Sequence, residues 1–145
     1  MTAHLLHNKM NHVEEFALAC EENNVAKVRD LVPVVGINSR DVWDNTGLMW
    51  ATIGNSLAVF YFLLSQPGLD VNVADEEFGN TALHDATRNN HVEMVQVLAN
   101  RAEVDLKIRN KKEETAKDIA STEGYQHLVA ILDEAEKSRS ATSMN

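Results

Sequence analysis

Asn45-Thr46-Gly47-Leu48-Met49-Trp50-Ala51 and Asn80-Thr81-Ala82-Leu83-His84-Asp85-Ala86 are two copies of one pattern. The threonines, at 46 and 81, stand 35 residues apart. The same shift carries Asn55 onto Asn90, Leu63 onto Leu98 and Asp70 onto Asp105. A further copy opens at Thr115, 34 residues after Thr81, and carries Ala86 onto Ala120, Asn90 onto Gly124 and Leu98 onto Leu132. Looking backward, a shift of 67 places Ala86 on Ala19, Val95 on Val28 and Leu98 on Leu31. Ile37-Asn38 matches Val71-Asn72 at a shift of 34. Four units therefore recur with a period of about 34 residues, and a fixed period of that length is the signature of a repeat architecture.

Each unit reads as a pair of helices. In the third, Thr81 can cap a helix by accepting a backbone N–H with its hydroxyl. That helix runs to about Arg88, and Asn89-Asn90 can take the left-handed conformation that ends it. A second helix starts near His91, with Val92, Val95 and Leu98 as an apolar face. In the second unit Gly54-Asn55 turns the chain, and Leu57, Phe60, Leu63 and Leu64 form the same stripe. In the fourth, Thr115 and Asp118 stand at the spacing of a capping box. One such pair is too small to bury its own apolar face, so neighbours must stack. The expected fold is all-α, with strand absent or confined to hairpin-like turns. The repeats run at about 12–41, 42–76, 77–111 and 112–136. Residues 1–11 read as an extension or the start of the first helix, and the polar stretch 137–145 reads as a disordered tail.

Bulk properties narrow the function. Formal net charge is −9, and the basic residues form no stripe beyond Lys111-Lys112, which two glutamates follow. Nucleic acid and anionic membrane surfaces both need clustered cations, so neither is expected as a partner. A protein with a basic patch would be steered in. Cys20 is the only cysteine, which rules out an internal disulfide and a cysteine-based zinc site. The first residues lack the apolar core of a signal peptide, and the longest apolar run, Leu57 to Leu64, is short for a membrane span. The expected setting is the cytoplasm, with the nucleus as the lesser alternative, and the chain is expected to be a monomer.

At these residues the chain resembles the ankyrin-repeat family, whose first helix opens on T-P-L-H-x-A. Here that motif reads Thr-Gly-Leu-Met-Trp-Ala at 46–51, Thr-Ala-Leu-His-Asp-Ala at 81–86 and Thr-Ala-Lys-Asp-Ile-Ala at 115–120. Only its alanine end survives in the first unit, and the family's proline is missing from all three threonine motifs. Asp70-Val71-Asn72 resembles the family's closing Asp-Val-Asn, and Asn90-His91 stands where Gly-His is common. The resemblance covers about residues 12–136. It implies a helix-turn-helix solenoid that binds a partner protein through its concave face and turn tips, without catalysis or cofactor. A structural segment of a longer array, or a self-associating unit, is the alternative.

Carrying the family's contact positions across gives candidate residues. The tips offer Val42, Trp43 and Asn45, then Glu76, Glu77, Phe78 and Asn80, then Lys111, Lys112 and Glu114. The ends of the first helices add Glu21, Glu22, Ile53, Arg88, Asn89, Thr122 and Glu123, and the motif interior adds Trp50 and Asp85. Trp43 and Phe78 are the sharpest signals, because large apolar rings sit there among Asp, Glu and Asn. Each could instead fold back on its own repeat, and Trp50 is expected to be partly buried between first helices. The resemblance also marks Asn72 for asparaginyl hydroxylation, with Leu64 eight residues upstream; a turn asparagine satisfying its own backbone is the simpler reading.

Catalytic and metal readings are weak. His4, His7 and His12 cluster near the start, but no second ligand pair stands at zinc spacing, since His84 and His91 are seven apart across an expected turn. His84 fills the family's motif position, where the ring bonds neighbouring backbone. Cys20 follows Ala19 in a small-residue zone and reads as a packed thiol. The six glycines are scattered and form no phosphate loop.

Overall fold

The computed structural model describes residues 11–143. His4, His7, the rest of 1–10 and the end of the expected tail, 144–145, lie outside the described residues. Eight helices fall among the described residues, with no strand and one isolated antiparallel bridge, Arg40 to Thr46. The chain divides into two compact units, residues 1–70 and 71–145.

The first unit holds α1 (His12–Glu21), α2 (Val25–Val35), α3 (Gly47–Ile53) and α4 (Leu57–Leu64). The first helices α1 and α3 pack together, as do the second helices α2 and α4. Phe16, Cys20, Val28, Leu48, Met49, Val59, Phe60 and Leu63 are buried in its core. Gly47 explains the missing proline at this position. A Cβ there would stand 2.5 Å from the Phe16 ring and 3.0 Å from Cys20 Sγ. Cys20 itself is fully buried, and burial pushes its thiol up to about 12, so it stays protonated and packs as a small hydrophobe.

The second unit holds α5 (Ala82–Arg88), α6 (Val92–Ala99), α7 (Ala116–Glu123) and α8 (Gln126–Ser143), paired in the same way. Met94, Val95, Leu98 and Ala99 form the buried face of α6. Val92, expected on that face, is 37% exposed. At about 100° per residue it lies roughly a quarter-turn from the centre of the buried arc. The sequence reading stops the fold near residue 136, but α8 runs on through Ser143. Arg139 holds it there: its guanidinium donates to the carbonyls of Ala99, Arg101 and Val104. Those carbonyls lie at and after the C-terminus of α6, where a cation also meets the negative end of the helix dipole.

The helix starts share one chemistry. Thr46, Thr81 and Thr115 accept from the backbone N–H of Met49, His84 and Asp118. The third residue answers each time: Met49 Sδ, His84 Nδ1 and Asp118 Oδ2 accept from the threonine's N–H. The pairs thus close capping boxes with three different acceptors. The turns between paired helices are equally uniform, since Asn23, Asn55, Asn90 and Gly124 all have positive φ. Asparagine and glycine tolerate that region best. The asparagines do more than turn. Asn23 Oδ1 accepts from Val59 N–H, and Asn90 Oδ1 pairs with His127 Nε2.

Candidate functional site

Each tip is built on one short polar side chain. Asp41 Oδ1 accepts from the N–H groups of Trp43 and Asn45, at 3.0 and 2.9 Å. Asp75 accepts from Phe78 N–H on Oδ1 and from Asn80 N–H on Oδ2. Asn110 Oδ1 accepts from Lys112 and Glu114. The backbone N–H of each anchor closes the turn, onto the carbonyl of Asn45, Asn80 or Glu114. These three anchors were not among the residues expected from the sequence. Their signal was there: 41, 75 and 110 obey the repeat period, and Asp and Asn are the residues that brace turns in this way.

The anchors hold two aromatic residues outward. Trp43 is 62% exposed and Phe78 55% exposed. Trp43 also meets Trp50 edge to face, with ring centroids 6.1 Å apart and planes at 73°. Trp50 is half-buried, and its indole N–H donates to Asp41 Oδ2 at 2.6 Å. Asp41 therefore fixes the turn and one ring at once. Val42 beside them is strongly exposed, Ile53 at the end of α3 is at the exposed margin, and Asn45 is half-buried in the turn.

In the second unit the expected residues separate. Glu76, Glu77, Phe78, Asn89, Lys111 and Lys112 are exposed. Asn80 is buried, contrary to its expected place on the surface; its Oδ1 accepts from Asn110 Nδ2. Glu114 is also drawn inward, accepting from Asn110 Nδ2 and facing Arg88 at 3.6 Å. Lys111 lends its backbone to the preceding tip, donating N–H to the Phe78 carbonyl at 2.9 Å. Thr122 and Glu123 are exposed at the end of α7, as Glu22 is after α1, while Glu21 is half-buried.

His84 is buried, and its ring spans two repeats. Nδ1 accepts from Thr81 N–H, so the proton belongs on Nε2, which donates to the Glu114 carbonyl at 2.9 Å. Burial pulls its pKa down and keeps the imidazole neutral. Asp85 beside it is half-buried, and its carboxyl is pushed up to about 7. Burial is the main cause, the negative charge of Asp75 adds to it, and Arg88 opposes it. Asn72 reaches into the next repeat, donating to the Glu103 carbonyl and accepting from Asp105 N–H. Asn38 makes the same pair of bonds to Gly68 and Asp70. No group of three or more His, Cys, Asp or Glu among the described residues could hold a metal ion. None of the described helices is long and apolar enough to cross a membrane.

Comparison with known proteins agrees with this geometry. The chain is 32% identical over 90 residues to palmitoyltransferase AKR1 of Lachancea kluyveri, a match over 59% of this chain and 12% of that protein. It is 40% identical over 60 residues to palmitoyltransferase AKR1 of Naumovozyma castellii, covering 40% of this chain and 8% of that one. It is 33% identical over 99 residues to the human SMC5-SMC6 complex localization factor protein 1, covering 68% of this chain and 9% of the human protein. The chain thus spans about a tenth of the length of these curated relatives. The family model for ankyrin repeats, in three copies, matches residues 16–110 and again 68–140. With its helix pairs, capped motifs and braced tips, the chain belongs to the ankyrin-repeat family, whose general role is protein–protein interaction.

Proposed function

We propose that the chain is a non-catalytic module that binds a partner protein through its turn tips and first helices. The observation that carries this is Trp43. A large apolar ring stands 62% exposed on a turn whose backbone Asp41 pins at two points. A rigid, solvent-held aromatic loses little freedom on docking, which is why such residues anchor interfaces. Phe78 occupies the same place on the tip braced by Asp75. In this reading Val42, Trp50 and Ile53 join Trp43 in the first unit. Glu76, Glu77, Asp85, Arg88, Asn89, Lys111 and Lys112 supply the polar surroundings of Phe78 in the second. The partner carries a basic patch, matching the net charge of −9, and the chain acts as a monomer.

The test is comparative capture from the native source with the intact chain and with Trp43→Ala/Phe78→Ala. Loss of the captured partner, with an unchanged melting temperature, supports the reading. Equal capture by both sinks these anchors. Light scattering addresses self-association: a mass that rises with concentration above 16.1 kDa contradicts the monomer.

A further inference from the structure

Beside Trp43 and Trp50 the first unit holds an open groove of about 430 Å³. One wall is the aromatic pair with Asp41. The other is a single face of α1, made by Glu14, Leu18 and Glu21 with Ala17 between them. These positions are spaced three and four apart, so they line up along the helix. Glu14 and Glu21 are seven residues apart, which puts about 10 Å between them along the axis. The groove therefore has an apolar middle with a carboxylate near either end, and a third, Asp41, bonded to the N–H at the edge of the Trp50 ring.

The carboxylates differ in what they already do. Asp41 is committed, accepting from Trp43, Asn45 and the Trp50 indole. The carboxylates of Glu14 and Glu21 have no hydrogen-bond or ion-pair partner among the described residues. A neutral apolar occupant would strip water from them and offer nothing back. A small ammonium would meet the charge but leave the ring faces and Leu18 uncovered.

We propose that this groove takes an arginine side chain from a basic segment of the partner protein. The guanidinium is flat, and it stacks on indole faces while keeping its edge donors for carboxylates. Its methylene stem would cover Leu18 and Ala17, and its donors would reach Glu14 or Glu21. Because Asp41 fixes Trp50 and the turn beforehand, little ordering accompanies entry. This inference rests on the protein-binding reading above and names the chemistry that one of its surfaces recognises.

Both tryptophans of the chain line the groove, so emission excited selectively from tryptophan reports on the ring pair there. The probes are blocked pentapeptides, Gly-Ser-Xaa-Ser-Gly, with Arg, its neutral isostere citrulline, Lys or trimethyllysine at the centre. The full chain is titrated at low salt. The Arg peptide should change tryptophan emission saturably and bind about tenfold tighter than the citrulline peptide, with Lys between them. Glu14→Gln/Glu21→Gln should remove most of that preference while leaving the free emission spectrum and the melting temperature unchanged. Equal binding of Arg and citrulline overturns the proposal, as does tighter binding of trimethyllysine. No saturable change with the Arg peptide overturns it too. Binding that appears only after residues 1–10 are removed would show that the chain's own start fills the groove. An emission shift with protein concentration alone would show a second copy there. Either result also overturns the proposal. If the peptides fail while Trp43→Ala/Phe78→Ala still abolishes capture, the arginine inference falls and the protein-binding reading stands.

Discussion

Trp50 and Asp41, nine residues apart, are joined by a 2.6 Å hydrogen bond from the indole N–H to Oδ2. The other carboxylate oxygen takes the backbone N–H groups of Trp43 and Asn45. One side chain thus ties the tip to the first helix of its repeat. Asp41→Ala removes three acceptor contacts at once. The expected loss is about 2–3 kcal/mol of stability, because a half-buried indole N–H and a turn N–H lose their partners. Urea unfolding measures it. Tryptophan emission of the folded variant should also shift as the ring pair loosens, and an unchanged spectrum and midpoint would contradict the role given to Asp41.

Gly54 tests packing rather than backbone freedom, since its φ is −81°. Its αR backbone would accept alanine without strain. A methyl group, however, would run into the backbone carbonyl of Glu21, which has no rotamer through which to escape. Gly54→Ala should therefore destabilise the chain, by about 1–3 kcal/mol net. A raised melting temperature would show that α1 can slide away at no cost.

Asp85 makes stability depend on pH. Its carboxyl titrates at about 7 in the folded chain, against an ordinary value of 3.8. Below about pH 4 it is protonated in both states. Between about pH 4 and 7 the unfolded chain releases the proton while the folded chain keeps it, so stability falls as pH rises. Above that window the loss is complete. His84, with its lowered pKa, acts in the opposite sense, losing stability as pH falls below the ordinary histidine value. Asp85→Asn separates the two. Relative to the unsubstituted chain, it should gain stability from about pH 4 to about pH 7 in urea unfolding and level off above that. A difference independent of pH would refute the raised carboxyl.

Arg139 is expected to govern the end of α8. Arg139→Met keeps the stem and removes the donors to the carbonyls of Ala99, Arg101 and Val104. Loss of about 1–3 kcal/mol should follow. Hydrogen exchange should show residues 137–143 opening first. If their protection stays at the level of the rest of α8, the guanidinium is not what keeps that stretch helical.

The sequence by itself determined the period, the helix pairs, the caps and the left-handed turns. All of these close within a few residues. The Thr81–His84 cap and the backbone turn at Asn90 close on residues three positions away, so that chemistry is visible in residue order. The braced tips were also within reach, because Asp41 and Asp75 keep the repeat spacing. Tertiary structure alone decided which tip residues face outward. Phe78 and Asn80 are two positions apart, yet one is exposed and the other buried against Asn110 from the next repeat. It also decided that Asp85 titrates near neutrality, and that a stretch of serines and charges at 137–143 stays helical through Arg139. Burial and long-range hydrogen bonds depend on what an adjacent repeat places opposite a residue. Neighbours about 30 to 40 positions away in sequence supply that, and no local pattern records it.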